Sequence, residues 1–294
     1  MIEQIIRAWN RFWFSPACPS QLTALRIAVC TVVCVWFLSF IPHADAWFGP
    51  LGLLSATVGH AMIQFEGIAA WQMWSPLWWT DSKLVFQVFS ACGALLSLIC
   101  ALGVGGRVSM SLLLLGCIAL IHRIVWLSGP IEPAIVAFVG FLIVQPGASV
   151  LSRRSSQSQP SIPTNIVLRL FQTHWWILLA AGVCSQLASF NWWQGDAVWW
   201  LAASGRSNLL SLPLLGGKLW LINLLTHAMV ASQILALWLI STTVARPLGI
   251  LFGALACLGI GLIADQLLYA MLMGSCLLAF QLRITSYTDS TAAT

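Results

Sequence analysis

The side chains that could do chemistry in this chain are few, and most of them sit inside long apolar runs. One run carries Arg169, Gln172, His174 and Gln186. Another opens at Lys218 and carries Asn223, Thr226, His227 and Gln233. An ionisable group in hydrocarbon is costly unless it is paired or hydrated, so these positions are the best pointers to a site. His174 and His227 belong to the one side-chain type that titrates near neutral pH. That suits proton transfer or contact with a quinone, and a hydrogen bond between helices is the alternative for each. Lys218 could supply an amine whose pKa desolvation lowers into a useful range. At about 100° per residue, Gln172 and Gln186 fall about 40° apart on one helical face, and His174 points elsewhere. Asn223 and His227 are one turn apart and share a face. A third place is the junction where His122-Arg123 ends one run and Glu132 opens the next, beyond Gly129-Pro130. Arg123 and Glu132 could form an ion pair across that hairpin or touch a ligand directly.

Other chemistries have less support. Two histidines on different runs, with no HxxxH spacing and no adjacent acids, make no metal site. There is no GxxxxGK[ST], no GxSxG and no GxGxxG followed by a strand, which removes nucleotide hydrolysis and standard serine hydrolysis.

The elements that must position these residues follow from composition. Hydrophobic residues make up 60% and charged residues 7% of the 294 positions, with a mean hydropathy of +0.90. A span needs roughly 20 apolar residues, because every backbone N–H and C=O must be satisfied within the helix. The expected fold is therefore all-α, one polytopic membrane bundle of about eight spans over residues 1–294. The spans run Gln21–Ile41, Leu84–Leu102, Val108–Leu127, Pro133–Val150, Asn165–Leu187, Leu219–Ile240, Pro247–Ile263 and Gln266–Leu282. The fourth is short, and six or seven crossings remain open. Arg26 and Arg169 near span ends are expected to snorkel, and Asp265 to cap the last helix.

With the N-terminus inside, Arg7, Arg11, Arg107, Arg153, Arg154, Arg246 and Arg283 are cytoplasmic, while Lys83, Arg206 and Lys218 are outside. That bias places both termini in the cytoplasm, in an inner or plasma membrane. The net charge of +5 is what such a topology produces and does not indicate nucleic acid, since no basic run exceeds Arg153-Arg154. Within the N-terminal segment 1–19, Met1 to Phe14 lacks a continuous apolar h-region and a small-residue cleavage site. Ile2, Ile5, Ile6, Trp9, Phe12 and Trp13 recur at helical spacing, which predicts an amphipathic helix lying in the inner interface. Residues 152–163 (SRRSSQSQPSIP) read as a cytoplasmic linker between two groups of spans. Nine of the seventeen tryptophans cluster in two outer segments, at 47, 71, 74, 78 and 79 and at 192, 193, 199 and 200. They make either an aromatic belt or a pair of interfacial helices roofing a cavity. The nine cysteines show no CxxC and read as small apolar packing residues.

In their order, several short motifs resemble a known family. They are Leu25-Arg26-Ile27, Trp47-Phe48-Gly49 with Leu51-Gly52, Gly105-Gly106-Arg107, His122-Arg123, Gly129 with Glu132, and Pro146-Gly147. The firmest are Leu168-Arg169-Leu170-Phe171-Gln172-Thr173-His174 and Trp192-Trp193-Gln194-Gly195. Across nearly its whole length the chain resembles the HTTM (horizontally transferred transmembrane) family, which shares its membrane domain with vitamin K-dependent gamma-glutamyl carboxylase. The resemblance implies a helix bundle and a site involving Gln172, Gln186, Trp192, Trp193, Arg123 and Glu132, with a quinone as the cofactor. It also implies a lysine base between the glutamine-bearing helix and the Trp-x-x-Gly motif. Here the best-matching position is Gln186, and an amide cannot take up a proton as an amine does. A histidine common in the family's later span is replaced around Cys257 and Leu258.

Three functions follow as expectations. The first is an accessory or maturation protein with an outward-facing cavity for a lipid, quinone or peptide, partnered by the bilayer and by a secreted peptide or protein. The second is a diverged carboxylase-like enzyme with Lys218, His227 and His174 as candidate catalytic groups. The third is a small-solute transporter, for which no repeat of broken helices speaks.

Overall fold

The computed structural model describes residues 2–67, 69, 72–144, 160–203 and 218–281. Trp71, Pro146-Gly147, most of the 152–163 linker, and Arg153, Arg154, Arg206 and Arg283 lie outside the described residues. Among the described residues all regular structure is helical, apart from one isolated bridge between Ala17 and Ser161. In chain order the helices are α1 (Ile2–Phe14), α2 (Pro19–Ser39), α3 (Ala44–Phe48), α4 (Ala56–Phe65), α5 (Lys83–Leu102) and α6 (Gly106–Arg123). Then come α7 (Ile131–Ile143), α8 (Ile162–Ala188), α9 (Phe190–Gln194), α10 (Ala197–Ala203), α11 (Leu219–Ile240), α12 (Arg246–Ile263) and α13 (Leu267–Cys276). A 3-10 turn over Pro76–Trp79 precedes α5, and another over Leu277–Phe280 prolongs α13.

Six of these, α2, α5, α6, α8, α11 and α12, are long and apolar enough to cross a membrane, and the protein is an integral multi-pass membrane protein. Two shorter apolar helices, Ile131–Ile143 and Leu267–Phe280, complete the bundle. The observed ends follow local chemistry. Pro at the first turn starts α2, α8 and α12, where its missing N–H costs nothing. Gly103, at φ +76°, stops α5 in the left-handed conformation that a side chain resists.

α2 is the central helix. Leu22, Leu25, Val29, Cys30, Val33, Trp36 and Phe37 are all buried, while Ile27, Thr31, Val35 and Leu38 recur at helical spacing as an exposed stripe. It packs against α5, α7, α8 and α13. Six of the nine cysteines are buried and all nine are free, in keeping with a packing role. The α11–α12 hairpin is tight because Gly249 lies against the backbone of Ile240, where a β-carbon would collide.

The N-terminal helix α1 buries none of its residues, and Ile2, Ile5, Ile6 and Trp9 stay exposed. Among the described residues its hydrogen bonds to the bundle lie at its C-terminal end. Asn165 on α8 donates to the carbonyls of Phe12 (2.8 Å) and Trp13 (2.9 Å), and Arg169 Nε donates to Phe12 (3.1 Å). These are carbonyls that a helix end leaves unpaired, and the cation suits the negative end of the helix dipole. Arg169 thus reaches the end of α1. Arg26, by contrast, does not snorkel; it is 4% exposed. Nor does Asp265 cap the last helix. It is an exposed residue at φ +53° in the α12–α13 turn, and α13 begins without a side-chain cap.

Candidate functional site

The site residues expected from sequence are distributed over several places. The most developed is at the junction of α9, α10 and α11. Val198 and Ala202 of α10 bury against Ile222 and Met229 of α11, a small core separate from the main one. The buried Thr226 hydroxyl accepts from the Val198 N–H (3.2 Å), satisfying a first-turn donor of α10. Between the two short helices the chain turns at Gly195, with φ +83°. A β-carbon there would lie 3.0 Å from both Asn223 Oδ1 and His227 Nε2. The face shared by Asn223 and His227 therefore meets the Trp-Trp-Gln-Gly motif, and glycine is required both by conformation and by closeness. Trp192, Trp193, His227, Leu187, Val230, Ala231 and Ile234 enclose a cavity of about 200 Å³. The Trp193 indole is fixed by donating to the Leu187 carbonyl. The cavity is apolar except for the imidazole, so it would hold an apolar group with one polar contact.

The second place is around Arg123, at the end of α6. Its side chain is fully buried. The guanidinium lies 4.3 Å from the ring centre of Trp78, 5.5 Å from Phe86 and 5.6 Å from Phe48. Phe48 and Phe86 are stacked at 4.1 Å, and Trp78 lies on the bare backbone of Gly59. Cation–π attraction of this kind is worth about 2 kcal/mol when desolvated. The carboxylate that pairs with Arg123 is Asp81, at 3.3 Å, and not Glu132. Asp81 also accepts from the Ala56 N–H at 2.7 Å, so one carboxylate ties α4 to α6. The expected Arg123–Glu132 pair is thus replaced, because the segment from α3 to the 3-10 turn folds over the end of α6 and brings its own acid. His122 Nδ1 meets the Trp74 carbonyl (2.9 Å) and reinforces the same clasp.

Glu132 has a different task. It is buried, takes the Gly129 N–H at 2.7 Å and the Trp36 indole N–H at 3.3 Å, and so ties the turn before α7 to α2. It borders a cavity of about 400 Å³ between Trp36, Phe40, Leu127–Ile131 and Asp265–Tyr269.

The remaining candidates are separated. Gln172 is buried, donating to the Ala279 carbonyl (2.6 Å) and accepting from Arg169 (2.8 Å). Gln186 shares its helical face but stands fourteen residues on, about 21 Å along the axis, and its buried Oε1 has no hydrogen-bond partner. His174 lies edge-on to Phe138 (5.4 Å) and Phe141 (5.6 Å) of α7. It does not line the His227 cavity. Lys218 is exposed at the start of α11 and lines none of these cavities. Among the described residues no cluster of His, Cys, Asp and Glu is placed to hold a metal.

Asp81 is the residue that sequence reasoning missed. Its signal was faint: a single acid in Thr80-Asp81-Ser82, just before a helix, reads as a cap. Compared with protein-family models, curated proteins and solved structures, the chain finds no match.

Proposed function

We propose that this is an HTTM-like membrane protein of about eight crossings, set in the plasma membrane with both termini cytoplasmic, that binds the apolar part of a lipid, quinone or peptide as an accessory or maturation factor. The observation that supports this reading is the cavity under Trp192 and Trp193, with His227 in its wall. Its volume is below the roughly 300–1,000 Å³ of sites that enclose a whole drug-sized ligand. It suits one acyl or isoprenoid unit, or one apolar peptide side chain, with the rest of the ligand lying outward. In the proposed orientation the seven inner arginines, against three outer basic residues, put α9 and α10 on the outer side. Exposed Trp193, Trp199 and Trp200 then lie at headgroup level. Carboxylase-like chemistry draws less support, because of Lys218, His174 and His227 only His227 lines the cavity under Trp192 and Trp193.

The test is mass spectrometry of small molecules that co-purify with the detergent-extracted protein, against a Trp192→Ala/Trp193→Ala variant. A near-stoichiometric quinone, prenyl lipid or peptide lost in the variant supports the reading. The same molecules at the same level in both proteins would remove this cavity as the binding site. Unchanged processing of every secreted peptide encoded beside the gene, after its deletion, would remove the maturation role.

A further inference from the structure

A cavity at the other end of the bundle has walls of a different character. It measures about 540 Å³ and lies between α1, α8, the α11–α12 turn and the end of α13. Two guanidinium groups face it, Arg169 from α8 and Arg246 from the first turn of α12. Both line the same cavity, so two like charges share one space. Among the described residues the ion pairs are Arg7–Glu3 and Arg123–Asp81, so neither of these two arginines has a carboxylate partner. Arg169 is held in place by Gln172 and the Phe12 carbonyl, with its guanidinium 4.2 Å from the Phe12 ring centre. The Arg246 Nε is buried and makes no hydrogen bond. Arg246 also opens an eighteen-residue helix whose start has no side-chain cap, so unpaired N–H groups add positive potential there.

Two cations without an ion pair among the described residues, a buried free donor and an uncapped helix start around one cavity call for an anion with several acceptor oxygens. Guanidinium matches phosphate in shape and in donor geometry. Gln172, Thr173 and Ser241 add polar groups to the wall, and its apolar part is made by Trp176 and Ile177, exposed on the outside of α8, and by buried Ile240 and Phe280. Beside the cavity α1 presents an unburied face of Ile2, Ile5, Ile6 and Trp9, which suits a helix lying at headgroup depth.

We propose that this cavity binds the phosphate group of an anionic phospholipid, with an acyl chain lying along Trp176 and Ile177. Free inorganic phosphate offers the same headgroup chemistry, and the test separates the two. Full-length protein in detergent is titrated with phosphatidylglycerol, with phosphatidylcholine or with inorganic phosphate, and bound molecules are counted by native mass spectrometry. Phosphatidylglycerol is expected to bind at a ratio of one, and phosphatidylcholine far more weakly. Arg246→Gln and Arg169→Gln should each weaken phosphatidylglycerol about tenfold or more, the size of a lost hydrogen bond to a charged group. Arg11→Gln, on the exposed surface of α1, should change it no more than about fivefold, as for a general surface attraction. Arg169→Gln also disturbs the contact with Phe12, whereas the Arg246 side chain makes no hydrogen bond or ion pair among the described residues, so Arg246→Gln decides the matter. Equal affinity in wild type and Arg246→Gln overturns the proposal, as does an equal loss in Arg11→Gln. Tight binding of inorganic phosphate that displaces the lipid and depends on Arg246 overturns the lipid assignment in favour of the free ion.

Discussion

Arg123 and Arg246 are the same side chain at opposite ends of one bundle, and their surroundings give them opposite roles. Arg123 is enclosed by Phe48, Trp78 and Phe86 and paired with Asp81, so its charge is used up in holding α4, the 3-10 turn and α6 together. Arg246 borders open space in a cavity it shares with a second arginine, and among the described residues it forms no ion pair. An intramembrane arginine is therefore not in itself a sign of a site. What separates clasp from binding group is whether the protein has already supplied the counter-charge.

Several substitutions can break or sharpen this contrast. The largest effect is expected at the clasp. Asp81→Ala leaves the fully buried Arg123 charge without its partner, which should cost about 3 kcal/mol or more. Thermal unfolding in detergent should show the loss, and an unchanged midpoint would mean that the aromatic cage alone carries Arg123. Next is Gly195→Ala, which forces a side chain into a left-handed backbone against Asn223 and His227. About 1–3 kcal/mol of local strain should detach α9, read as a red shift of tryptophan emission and loss of any co-purified ligand. A smaller effect is expected from His227→Ala, which enlarges the outer cavity and removes its polar contact. Ligand retention should fall while the fold persists, and full retention would make the imidazole a packing group. The smallest effect on stability is expected from Arg246→Gln, within about 0.5 kcal/mol, because no partner is left behind. A drop as large as that of Asp81→Ala would erase the distinction between the two ends.

The amino-acid sequence by itself determined the solvent and the helices. A run long and apolar enough to span hydrocarbon is a local property, and α11 coincides with the expected Leu219–Ile240 while α12 starts one residue early. The amphipathic character of α1 was equally legible, since its apolar positions recur at helical spacing. The meeting of Asn223 and His227 with the Trp-Trp-Gln-Gly motif was legible in part: the shared face is read from spacing, the contact with Gly195 is not. Only the tertiary structure decided the charge partners. Arg123 takes Asp81, forty-two residues before it, over the nearer Glu132, because the α3 to 3-10 segment closes over α6 while Glu132 is engaged by Gly129 and Trp36. In the same way Arg169 and Arg246 lie seventy-seven residues apart and share a cavity only because the α11–α12 hairpin and α1 pack on the same end of α8. Periodicity along one helix says which face a residue occupies. Which neighbour supplies the opposite charge depends on how that face is packed, and a single helix does not encode that.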